Sequence, residues 1–174
     1  MKKINFSNRY HLTEAVIKEI KTHTRRIKRS NTPPYKVGEI IAIAQSYEEI
    51  YKELKQRGAH HYAACLWAVY HKRVAWRNKM FVAADEMLHH IKVVAIREER
   101  LQDISDSDCI KEGIRKGEFM NTWNEYYFEV GETYNPVTAR TPREAFSRLI
   151  NGTCGNRTWS DNPMVWVVEL KKVD

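Results

Sequence analysis

Lys18–Arg29 reads KEIKTHTRRIKR, six Lys or Arg side chains, two Thr hydroxyls and a His within twelve residues. The stretch before it, Thr13 to about Ile20, spaces Ala15, Val16 and Ile20 as a short helix does. Thr13 suits its cap and Glu14 its first turn. From Thr22 onward the β-branched Thr residues and Ile27 fit a short strand, whose alternation would carry Thr22, Thr24 and Arg26 to one face. Lys21 thus falls where a helix hands over to a strand. There it either leans toward the Thr24 hydroxyl or serves only as a cation at a carbonyl-rich helix end.

The charge has a location. Residues 1–40 hold ten Lys or Arg against three Glu, whereas the whole chain holds 29 basic against 22 acidic residues, so everything after residue 40 sums to zero. Basic side chains this dense repel one another, and a nucleotide or nucleic-acid phosphate is the simplest neutralising partner. A solvated basic helix end is the plain alternative.

At 174 residues and 43% hydrophobic, the chain suits one domain, 1–174, with a real core. Cys65, Cys109 and Cys154 show no metal-ligand or redox spacing, which points to free thiols in a reducing compartment. The N-terminus lacks the apolar run of a signal peptide and no stretch approaches 18 apolar residues, so a cytoplasmic protein without membrane association is expected.

Glu39–Ala44 (EIIAIA), Ile91–Ile96 (IKVVAI) and Met164–Leu170 (MVWVVEL) read as strands. Ser46 to about Leu54 reads as an amphipathic helix, His60–Arg77 as an irregular excursion, and Ser105 or Ser107 as the cap of a short helix ended by Gly113. Thr141-Pro142-Arg143-Glu144 is a clear helix start. Residues 119–135, rich in aromatics, read as a variable lobe. Strands separated by short helices without regular βαβ spacing favour an α+β fold built on a small mixed β-barrel.

Lys21-x-x-Thr24-x-Arg26, the strand after Val37-Gly38, ERLQDISDSDCIKEGI (Glu99–Ile114) and NPMVWVVEL (Asn162–Leu170) together resemble the ASCH domain family, a branch of the PUA-like barrels. WRNKMFV (Trp76–Val82) is similar to its longer phage and bacterial members. The resemblance implies a barrel with flanking helices and inserted segments, and a basic cleft beside it that suits RNA or nucleotides. In the family's first motif a Gly usually stands where this chain has Glu19. One bacterial member is an acetylcytidine amidohydrolase with a Lys, Thr and Glu catalytic set, which by motif position implies Lys21, Thr24 and Glu112 here.

Two functions follow as expectations. The first is RNA or nucleotide binding, with Arg25, Arg26, Lys28 and Arg29 on phosphates and Tyr70 or Trp76 under a base. The alternative is hydrolysis of an acylated nucleoside such as acetylcytidine. There Lys21 takes the Thr24 proton, Glu112 orients Lys21, and Arg26 holds phosphate or the oxyanion. No cofactor is expected. The seven His match no zinc pattern, so no metal is expected either. The segments 46–87 and 117–140 would enclose a pocket or dock a protein partner.

Overall fold

The structure is a computed structural model that describes residues 1–119, 123–131 and 135–173; of residues 118, 119, 123 and 124 only the backbone is described. In chain order the elements are β1 (Lys2–Ile4), α1 (Leu12–Ile17), β2 (His23–Ile27), β3 (Ile40–Ile43), α2 (Tyr47–Gln56), α3 (His60–Tyr70), β4 (His90–Arg100), α4 (Asp106–Lys111), β5 (Arg115–Phe119), β6 (Trp123–Glu129), β7 (Pro136–Ala139), α5 (Pro142–Cys154), α6 (Thr158–Asp161) and β8 (Met164–Lys172). Among the described residues, no helix is long and apolar enough to cross a membrane.

The strands do not close into the expected barrel. They form two open sheets, one of five strands in the order β1-β3-β4-β8-β2 and one of three in the order β5-β6-β7. Closure requires the two outermost strands of a sheet to hydrogen-bond to each other, and here β1 and β2 remain edges. The fold is mixed α+β with two sheets, and the ASCH and PUA-like barrel assignment falls with the closed barrel. Apolar runs reveal that strands exist. They do not encode the stagger that decides whether a sheet closes.

The chain divides into two compact units. The first takes in residues 1–6, 40–91 and 173. Within it β1 pairs parallel with β3, from Lys2 opposite Ile41 to Ile4 opposite Ile43. The capping box Ser46-x-x-Glu49 starts α2, each side chain accepting from the other residue's backbone N–H. Ala42, Tyr47, Ile50, Ala75, Val82 and Met87 form its core. Residues 60–77, expected as an irregular excursion, begin with a regular helix, His60–Tyr70, of which only Ala63 is buried. Apolar residues lie on every side of α3, so no 3.6-residue stripe marks it in the sequence.

The second unit takes in residues 7–39 and 92–172. In it β2 pairs antiparallel with β8, from His23 opposite Glu169 to Ile27 opposite Val165. Phe146, Leu101, Ile104, Ile114, Val93, Val165 and Val167 are among its largest wholly buried side chains. The Thr141 hydroxyl accepts from the Glu144 N–H at the start of α5, with Pro142 at the first helical position. The cap of helix α1 lies two residues earlier than expected: His11, at φ 52°, is its N-cap, and the Thr13 hydroxyl lies within the helix and donates to Asn8 Oδ1 at 2.6 Å. Residues 119–135, expected as a variable lobe, contribute to the antiparallel sheet β5-β6-β7. Residues 120–122 and 132–134 of that segment lie outside the described residues.

Candidate functional site

Two matched helix ends build the site. After α1 the chain reverses through a Schellman turn, with Glu19 N–H donating to the Val16 carbonyl at 3.0 Å and Ile20 N–H to the Ala15 carbonyl at 2.8 Å. The turn needs a left-handed residue, and Glu19 supplies it at φ 58°. After α4 the same pattern recurs: Gly113 N–H donates to Ile110 at 2.9 Å and Ile114 N–H to Cys109 at 3.3 Å, with Gly113 at φ 104°. A Cβ on Gly113 would come within 3.6 Å of both the Leu12 and Lys21 side chains, so the two turns approach closely. The Thr22 N–H donates to the Lys111 carbonyl at 2.9 Å and ties them together.

This junction delivers Lys21 to Glu112. The Lys21 side chain is 3% exposed, and its ammonium donates to the Glu112 carboxylate and, at 3.0 Å, to the Glu112 carbonyl. Lys21 is therefore a helix-end cation, but for α4 rather than for α1. Burial is the main influence on it and outweighs the attraction of Glu112. With the repulsion of Arg26 and Arg25 added, the amine is held below the ordinary lysine value.

Arg25 lies behind this pair and is wholly enclosed. Its Nη1 donates to the second Glu112 oxygen at 3.0 Å, its Nε and Nη2 to Glu99 at 2.8 and 2.6 Å, and its Nη2 to Asp108 at 3.0 Å. Arg97 also donates to Asp108. Three carboxylates thus meet four cations, Lys21, Arg25, Arg97 and, 3.5 Å from Asp108, Lys111. Burial opposes the Arg25 charge, yet Glu112 and Glu99 more than offset it and raise its already high pKa. Burial also opposes ionisation of Asp108, but Arg25 and Arg97 outweigh it and hold that carboxyl below its usual range.

These positions correct part of the phosphate-binding expectation. Arg25 is committed to carboxylates and has no exposed side-chain atoms to offer a phosphate. Lys28 pairs with Glu98 at 2.7 Å and lies over the Trp166 ring at 5.1 Å, Arg26 is half-buried and Arg29 exposed. Tyr70 and Trp76 belong to the first unit. There Tyr70 stacks on Tyr47 at 3.8 Å and Trp76 lies 5.5 Å from Tyr51, both packed against the core cluster.

Thr24 is buried in β2. Strand alternation carries Thr24 and Arg26 to one face and His23 and Arg25 to the other. Lys21 precedes this edge strand and feels the charges of both Arg26 and Arg25, so its ammonium is within electrostatic reach of either face.

Sequence reasoning missed Glu99, Asp108 and Arg97 as partners. One signal was readable: Asp108 and Glu112 are four apart, which places two carboxylates on one side of a helix. The Cys109 thiol between them is buried and pushed up to about 12 by that burial, as an inert core residue would be. Of the adjacent His pairs, His60 and His61 lie on α3, and His89 is buried with its Nε2 against the Glu53 carboxylate at 2.8 Å. Among the described residues, no three His, Cys, Asp or Glu side chains are placed to hold a metal ion. None of the protein-family models, curated proteins or solved structures compared with the chain matches it.

Proposed function

We propose that the second unit hydrolyses an acyl amide on a small substrate of the nucleoside class, with Lys21 as general base, Thr24 as nucleophile and Glu112 as the group that positions Lys21. The carrying observation is the double hold of Glu112 on the buried Lys21 amine. An amine has four tetrahedral directions, one of them taken by its own carbon. Glu112 occupies two more, so the last carries a proton when Lys21 is charged and a lone pair when it is neutral. A depressed pKa favours the neutral form, which keeps both bonds to Glu112 and still presents a base.

In the reaction the Lys21 lone pair takes the Thr24 hydroxyl proton as Oγ1 attacks the acyl carbon. The carbon–nitrogen bond then breaks, and Lys21 returns that proton to the leaving amine. Water, deprotonated by neutral Lys21, cleaves the resulting Thr24 ester and releases the acid. The cations Arg26 and Arg29 close to Thr24 in the chain suit a nucleoside or nucleotide as the leaving amine. Arg26 supplies positive charge beside Lys21, suited to the developing oxyanion.

The test is turnover of free acetylcytidine, followed by absorbance. The parent and Thr24→Ser are expected to release acetate, while Lys21→Ala and Thr24→Ala lose turnover by at least a hundredfold, the lower end of what a positioned base contributes. Lys21→Ala or Thr24→Ala variants as fast as the parent, or an inactive parent, would overturn the reading. Binding without turnover is the second reading, favoured by the exposed Arg29 beside Lys28 over Trp166. It predicts salt-dependent nucleotide affinity that Arg29→Gln weakens.

A further inference from the structure

The first unit carries a surface that the proposed hydrolysis does not use. From Lys55 to Lys79 the chain has six Lys or Arg, three His and no Asp or Glu. The zero net charge after residue 40 hides this block. The carboxylates just upstream are engaged: Glu49 closes the α2 capping box, Glu53 holds His89 and Arg57, and Glu48 pairs with Lys52.

Aromatic rings are exposed through the same block. Tyr62 is 71% exposed and Trp67 48%, and Phe81, just past the block, is 67% exposed. His71 stacks on one face of Trp67 with centroids 4.1 Å apart. Trp67 also lines an open groove of about 260 Å³ together with Tyr51, Lys55 and His60. That volume falls below the roughly 300–1,000 Å³ of ordinary small-molecule pockets and suits one flat base better than a cofactor. Lys55 and Arg73 lie over the Tyr51 and Tyr70 rings, each 5.5 Å from the centroid.

We propose that this α2–α3 face is a docking site for single-stranded nucleic acid, with a base entering the groove between Tyr51 and Trp67 and Lys55, Lys72 and Arg73 taking the phosphates. Charge complementarity selects the occupant. A second copy of the chain would bring the same positive block against itself. An anionic membrane needs an apolar stripe segregated from a polar one. On α3 the apolar residues lie on all sides, with His60 and His61 in its first turn. Cations beside exposed rings suit a polyanion whose every unit has a stacking face. Duplex nucleic acid keeps those faces stacked inside.

The experiment is fluorescence anisotropy with a short labelled oligo(U), its duplex, and anionic phosphatidylserine vesicles in parallel. The parent binds the single strand with an affinity that falls with salt and binds the duplex more weakly. Trp67→Leu weakens binding roughly tenfold, whereas Trp67→Phe retains most of it, because the ring face rather than apolar bulk is required. Tyr62→Ala, at a site too exposed to threaten folding, weakens it as well. Replacing Lys55, Lys72 and Arg73 with Gln flattens the logarithmic salt dependence by about 0.7 for each phosphate no longer neutralised. Lys21→Ala binds as the parent does, which separates this site from the hydrolytic reading. Unchanged binding by Trp67→Leu, equal affinity for duplex, or capture by vesicles without oligo(U) binding would each overturn the proposal.

Discussion

The Lys21 ammonium donates to both the carboxylate and the main-chain carbonyl of Glu112, 91 positions later in the chain. The pair is asymmetric. Among the described residues Lys21 has Glu112 as its only carboxylate partner, whereas Glu112 also holds Arg25. Removing Glu112 leaves the buried Lys21 without a carboxylate while Arg25 keeps Glu99 and Asp108, and removing Lys21 leaves Glu112 still paired with Arg25. Glu112→Gln should therefore cost about 3–5 kcal/mol, and Lys21→Met clearly less. Urea unfolding of both variants checks this, and equal losses would refute the asymmetry.

The same geometry fixes the pH dependence of the proposed hydrolysis. Lys21 acts as a base only when neutral, and burial moves its deprotonation below the lysine value of 10.5. The pH profile of kcat/KM should rise with pH through a pKa below that value. With Glu112→Gln the attraction that favours the charged form is weakened, so the rising limb should move to lower pH. A limb that stays fixed would show that another group titrates.

Glu19 occupies a backbone conformation that favours glycine, at φ 58°. A left-handed conformation costs a residue with a Cβ about 1–2 kcal/mol, partly offset by the greater freedom of unfolded Gly. Glu19→Gly should raise stability by about 0.5–1 kcal/mol. It leaves the Schellman turn and the Lys21 contact intact. A loss of stability in thermal unfolding would mean that the Glu19 side chain contributes more than its backbone strain removes.

How much of this was legible depended on how far apart the partners were. The helix-to-strand handover at Lys21, the Thr141 cap and the three apolar strands are local patterns, and the sequence carries them. Pairing of Lys21 with Glu112 came only through the family resemblance. The closed barrel, expected from the strand spacing as well as from that resemblance, is not what the strands form. Arg25 was the instructive error. Its neighbours Arg26, Lys28 and Arg29 make it look like one phosphate ligand among four, yet strand alternation turns Arg25 inward, against carboxylates from β4 and α4. Helix α3 was missed for the opposite reason, since an unburied helix leaves no apolar period to read.

Acid should destabilise the protein in two stages. His23 is buried, and burial holds its imidazole below its ordinary 6.5, against the pull of Asp108. As pH falls through 6.5 the unfolded chain takes up this proton before the folded one does. The unfolded state then binds more protons, so stability falls with pH. Asp108 and Glu53, both held below their ordinary values of 3.8 and 4.5, give the second stage, because below those values the unfolded carboxyls protonate first. His23→Gln should flatten the first stage and keep the second. A pH–stability curve unchanged by that substitution would remove His23 from the account.

Arg25 and Arg97 both reach Asp108, but only Arg25 is enclosed; the Arg97 side chain is 47% exposed. Solvent and salt screen the outer pair, so Arg97→Ala should cost no more than about 1 kcal/mol and less at high ionic strength. Arg25→Lys preserves the charge yet loses the planar fork that reaches Glu99, Asp108 and Glu112 at once. At least one carboxylate oxygen, Glu112 Oε1 or Glu99 Oε1, then loses its donor, which costs about 2 kcal/mol or more and is insensitive to salt. Urea unfolding at low and high salt separates the two. Equal costs, or an Arg25→Lys loss that salt screens away, would mean that the cluster is wet and that Arg25 is not its hub.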